Sequence, residues 1–131
     1  MSGGVATPSR AASARPAPAN RRRGEIGAVL DGRALTLCLT LGALAELEDA
    51  FGVDDLGMLA DRLSRGVSAR DVAEVVAAGL RGGGTEATRE SVERMRIEGG
   101  AAGFAQLCSD LLDAAFGAPV GQLDRPVGPA P

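Results

Sequence analysis

Residues 25–40 read EIGAVLDGRALTLCLT, and this stretch decides how the rest of the chain has to fold. Ile26, Ala28 and Leu30 fall on one side of an extended chain, Asp31-Gly32 follows, and Leu35, Leu37 and Leu39 then alternate with Thr36, Cys38 and Thr40. Asp-Gly accepts the positive φ angles of a type I′ turn, whose twist matches that of the strands it joins. The spacing therefore predicts a β-hairpin with one apolar face. Two strands alone are marginally stable in water, so the apolar face has to be covered by helices.

The helices follow with clear punctuation. Thr40 is placed to cap a first helix whose apolar positions are Leu41, Leu44, Leu47 and Phe51, ended by Gly52. Asp54 or Asp55 caps a short second one with the stripe Leu56, Leu59 and Leu63, closed by Gly66. Ser68 and Asp71 approximate a capping box for a third, with Val72, Val75, Val76 and Leu80 on its apolar side and Gly82-Gly83-Gly84 as its stop. A short helix from about Thr88 would bury Val92 and Met95. The strongest period runs from Gly100 to Phe116 through Ala101, Phe104, Leu107, Cys108, Leu111, Leu112 and Ala115, with Gly117 and Pro119 behind it. The expected fold class is α+β, mainly α: an N-terminal β-hairpin followed by four to five short helices.

Composition divides the chain into three. Residues 1–22 are Arg-, Ala- and Pro-rich with almost no large apolar side chain, so ordering them is offset by nothing, and they are expected to be disordered. Residues 118–131, rich in Pro and Gly, carry the same expectation. Residues 23–117 form the expected domain, long enough to bury ~60 % of its unfolded surface. The net charge of −3 over 131 residues hides an asymmetry: residues 1–23 hold five Arg and no acid, whereas residues 24–131 hold nine Arg against seventeen acids. An acidic body does not suit phosphate binding, which depends on displaced counterions, and this speaks against nucleic acid as a partner.

The residue inventory narrows the chemistry further. The chain has no His, Lys, Trp or Tyr, and therefore no imidazole base, no P-loop lysine and no phenol. Gly82 to Gly84 lacks the Lys and Ser or Thr of a phosphate-binding loop and is expected to be a flexible connection between helices. Gly99-Gly100-Ala101-Ala102-Gly103 has Ile97 where a dinucleotide fingerprint needs its first Gly, which leaves helix packing as the reading of its glycines. Glu46, Glu48, Asp49, Asp54 and Asp55 read as a solvated face and a cap. Cys38 and Cys108 without His make a poor zinc set and are expected to be free thiols in a reducing cytoplasm. The longest uncharged stretch, Ala34 to Ala45, is too short for a membrane span, which takes roughly 20 residues. No catalytic residue, cofactor or metal is expected.

Beyond these readings, an ordered set of short strings carries a resemblance. It consists of Arg23-Gly24-Glu25, Leu30-Asp31-Gly32, Leu39 to Glu48, Phe51-Gly52-Val53, Ser68-Ala69-Arg70-Asp71, Leu80 to Gly84, Ile97-Glu98-Gly99-Gly100 and Ala115-Phe116-Gly117. Over about Asn20 to Gly117 this set resembles the gene transfer agent and phage family of small tail proteins described as tail assembly chaperones. The resemblance implies a non-catalytic protein of the bacterial cytoplasm that holds the tape-measure protein until tube subunits polymerise around it. The tail tube protein is a further partner it implies, and client release would be driven by competition. The same family also carries a structural reading as a tail tube component. One hairpin of roughly fourteen strand residues supplies few strands for a ring lining a channel, and on that count the chaperone is the expected role. Its client surface would be an apolar helical stripe, for which Leu56, Leu59 and Leu63 are the candidate residues.

Overall fold

The computed structural model describes residues 24–117. The expected disordered segments, residues 1–22 and 118–131, lie outside the described residues. The elements run in the expected order: strands β1 (Glu25–Leu30) and β2 (Arg33–Cys38), then helices α1 (Leu41–Phe51), α2 (Leu56–Ser64), α3 (Ala69–Gly82), α4 (Arg89–Glu93) and α5 (Gly100–Phe116). This is the α+β, mainly α, arrangement read from the hydrophobic periods, with twelve strand residues rather than fourteen.

The hairpin forms as its turn chemistry requires. Asp31 and Gly32 both have positive φ, 52° and 77°, and the antiparallel register closes on Leu30 opposite Arg33. Alternation then places Ile26, Leu30, Leu37 and Leu39 in the core, while Gly27 and Val29 face solvent. A long-range tie holds the turn: the Asp31 N–H donates to the Arg96 carbonyl at 2.9 Å, and Asp31 Oδ1 accepts from the Arg96 N–H at 2.8 Å. The loop that leads into α5 is thereby fastened to the tip of the hairpin.

Capping decides the helix starts. Thr40 Oγ1 accepts from the Ala43 N–H at 3.1 Å, and Asp55 Oδ1, not Asp54, accepts from the Met58 N–H at 2.7 Å. Ser68 and Asp71 form a reciprocal capping box, in which the shorter Asp serves where Glu is usual. Thr88 and Ser91 form a second box that the sequence reading did not anticipate. Gly52 and Gly117 end α1 and α5 in the left-handed conformation.

The organising element is α3, which packs on β2, α1, α4 and α5, while α5 lies against both strands. From Val75 to Leu80 every residue of α3 is buried, so this helix is enclosed all round rather than along one stripe. Small residues make the enclosure possible. A Cβ on Gly79 would come within 3.1 Å of the Leu111 side chain. A Cβ on Gly82 would collide with the Cys38 carbonyl, and one on Gly83 with the Thr36 carbonyl. The expected flexible connection at Gly82 to Gly84 is thus corrected: two of these glycines let the end of α3 rest directly on the β2 backbone. Gly103 plays a local part, approaching the Glu98 carbonyl in its own helix start rather than a second helix.

Because both sides of the Gly83 contact are backbone, neither can rotate away. Gly83→Ala is expected to destabilise the fold by about 1–3 kcal/mol, the range for overpacking a well-filled interior, read as a lower urea midpoint at unchanged slope.

Candidate functional site

Of the candidate stripe on α2, Leu59 and Leu63 are buried and only Leu56, 37 % exposed, reaches the surface. Two of the three side chains thus belong to the core, and Leu56 alone of the stripe is left at the surface. The physical reason is the brevity of the helix: nine residues of α2 have to bury their apolar side simply to stay attached.

What secures α2 is a charged knot around Arg62. Its Nη2 donates to Asp71 Oδ2 at 3.0 Å, its Nη1 reaches the Gly66 carbonyl at 3.4 Å, and its guanidinium lies over the Phe51 ring, 5.2 Å from the centroid. One side chain thus joins α1, α2 and the start of α3. Asp71 is the one buried polar residue of the described chain and also accepts from the Ser68 N–H at 3.0 Å. Burial raises the pKa of its carboxyl, but the Ser68 N–H and the Arg62 guanidinium outweigh this, and the net shift is downward from 3.8. Asp71 therefore stabilises the fold fully above its unfolded pKa and loses that contribution as pH falls through the lowered folded value.

Further charged side chains fasten elements to one another. Glu46 takes both Nε and Nη2 of Arg81, at 3.0 and 2.7 Å, so its partner is a cation and not a second carboxylate. Arg89 gathers Glu74, Glu90 and Glu93 and ties α4 to α3. Cys108 is a free thiol. The Cys108 thiol is buried and pushed up to about 12, by desolvation first and by the Asp71 charge second, so it stays protonated and unreactive at neutral pH. Among the described residues there is no group of three or more His, Cys, Asp or Glu placed to hold a metal ion. No described helix is long and apolar enough to cross a membrane.

Two surface features remain. A half-open cavity of about 210 Å³ lies between the starts of α3 and α5 and helix α4, walled by Val72, Val92, Ala101 and Phe104 with Glu93 at its rim. It is smaller than the ~300 Å³ at which small-molecule sites begin, and the carboxylate of Glu93 is held by Arg89. The second feature is the hairpin's outer edge. Gly82 and Gly83 press on the β2 side, whereas along β1 Gly27 is exposed and Val29 is 57 % exposed. The sequence reading treated the hairpin only as a core former and missed this edge. The available signal was Gly27 and Val29 on the outward phase of a strand that carries no Lys or Pro to guard it. Exposed apolar side chains elsewhere, at Leu41, Met58 and Val67, are scattered over different elements.

Removing the charge at the knot isolates its contribution to stability. Asp71→Asn is expected to lower stability by about 1–3 kcal/mol at neutral pH, and to flatten the loss of stability on acidification, checked by urea titrations at pH 7 and pH 3.

Comparison with known proteins adds the family. Residues 23–118 match the family model described as "Phage tail tube protein, GTA-gp10". No curated protein and no solved structure matches the chain. The family description overturns the expected role as a tape-measure chaperone, and no tape-measure partner is supported. The strand count that favoured the chaperone considered one chain in isolation. A hairpin with an open edge can be extended by strands from outside the chain, so twelve strand residues do not bound the sheet of an assembly. With the whole described domain inside the match, the chain belongs to the GTA-gp10 phage tail tube family and is a tail protein of gene transfer agent or phage type.

Proposed function

We propose that the chain is a structural component of the tail tube of a phage-like gene transfer particle, with other tail tube subunits as its partners. The observation that carries this reading is the family match across residues 23–118, which takes in every described element from β1 to α5. Three features of the domain support it. Several of its Arg, Asp and Glu side chains are taken up in caps and in ion pairs that fasten elements to one another. Its buried thiol is inert. Its apolar helix stripes, including Leu59 and Leu63, are used internally, so the shape it offers to neighbours is fixed in advance.

A structural role and a transient one differ in where the protein is found. Quantitative mass spectrometry of purified particles is expected to find this chain in the tails at a fixed multiple of copies per particle. Its absence from finished tails, with abundance only in the producing cell, would reject the structural role.

A further inference from the structure

We propose that helix α2 is a releasable flap: residues 54–67 open as a unit, with the rest of the domain still folded, when the Arg62–Asp71 pair separates. The observation that carries this is how little attaches the helix. Helix α3 packs on β2, α1, α4 and α5, and α5 packs on both strands, whereas α2 packs on α1 alone. Lifting α2 away therefore leaves every other contact between elements in place.

The hydrogen bonds of residues 54–67 stay inside the segment, with one exception. Asp55 caps its own helix, Arg65 pairs with Asp61, and the Gly66 N–H returns to the Leu63 carbonyl. The exception is Arg62, which reaches out to Asp71 Oδ2 on α3 at 3.0 Å and to the Phe51 ring on α1. The buried side chains of α2 are Leu59 and Leu63, so two leucines and one guanidinium secure it. Helix α4 shows the contrast. It too packs on a single element, α3, but Arg89 pairs with Glu74 of α3, Arg81 holds the Ala87 carbonyl just before it, and the loop behind it is fastened to the hairpin by the two Asp31–Arg96 bonds. Helix α4 is tied on both sides, and α2 through one side chain.

The limits of the flap follow from the same bonds. On one side the Val53 N–H donates to the Glu48 carbonyl and keeps the chain on α1 up to that point; on the other the Ser68 N–H stays on Asp71, whether or not Arg62 is there. Released from α1, a helix of nine residues is too short to persist, so opening also unwinds it and frees its amides. Leu59 and Leu63 then join Leu56, Met58 and Val67, which are exposed already, and a single segment presents apolar side chains that the closed form divides between core and surface. The closed form dominates the population, because the two buried leucines and the enclosed Asp71 favour it, and the open form is a minor state of the same fold.

The test is native-state amide hydrogen exchange on the full chain, in water and in low urea. Relative to their intrinsic rates, the amides of residues 59–63 are expected to exchange at least about tenfold faster than those of residues 75–80. Their dependence on urea should be weaker too, because opening α2 exposes less surface than unfolding the domain. Two variants assign the opening. Arg62→Met removes the latch and should speed the α2 amides by about tenfold, the order of one charge-assisted hydrogen bond. Gly83→Ala disturbs the far end of α3, a contact present in both closed and open forms, and should speed the α3 amides while those of α2 keep their rate. Amides of α2 as slow as those of α3, with the same urea dependence, overturn the proposal on the unaltered chain, with no need of either variant. A Gly83→Ala chain in which both sets speed up together overturns it, and so does an Arg62→Met chain whose α2 amides are not faster. Release of α2 does not depend on the tail tube reading, since particle composition tests one and exchange in the isolated protein tests the other.

Discussion

The contact between the end of α3 and the backbone of β2 is the constraint on which the rest of the structure depends. Gly82 and Gly83 allow a helix to rest on the Thr36 and Cys38 carbonyls with nothing in between, and Gly79 accepts Leu111 on another side of the same helix. Because α3 can come this close, it reaches the hairpin, α1, α4 and α5 together, and its residues from Val75 to Leu80 are enclosed from every direction. A hairpin too small to stand alone thereby acquires a rigid support. The same contact closes one edge of the sheet, so packing energetics and the surface available to neighbours have a common origin.

Charge in this acidic domain serves mainly to position elements. Arg62 collects Phe51, Gly66 and Asp71, Arg81 joins Glu46 to the loop at Ala87, and Arg89 bridges α3 and α4. Exposed ion pairs of this kind are individually weak, but Asp71 is enclosed and also caps α3, which makes its partner Arg62 the costly one to lose. A protein with no His and no Lys has few groups that titrate near neutrality, and its buried thiol is held far from reactivity. Such an inventory suits a tail component whose task is to hold a shape.

The open β1 edge changes how the strand content should be weighed. Counted within one chain, twelve strand residues are too few for a tube wall and favour a chaperone. The family match points instead to a tail tube protein, and strands contributed by other chains fall outside a count made within one. Strand content limits what a monomer can enclose. It does not limit what an assembly can.

Local signals sufficed for the elements themselves. Asp31-Gly32 set the turn because few residue pairs accept two consecutive positive φ angles, and Thr40, Ser68 and Gly52 set helix ends because each satisfies backbone groups a helix leaves open. Period-2 and period-3.6 patterns then gave the order of strands and helices. Which face met what was decided only in three dimensions. Leu59 and Leu63 carry the same pattern whether they face a partner or the core, and Leu41, on the apolar stripe of α1, ends 78 % exposed. Glycine is ambiguous for the same reason: Gly82 and Gly83 read as a flexible break in one dimension and as a close contact once β2 lies beside them. Periodicity records which side chains avoid water, whereas the identity of the surface that shields them depends on contacts between residues far apart in the chain.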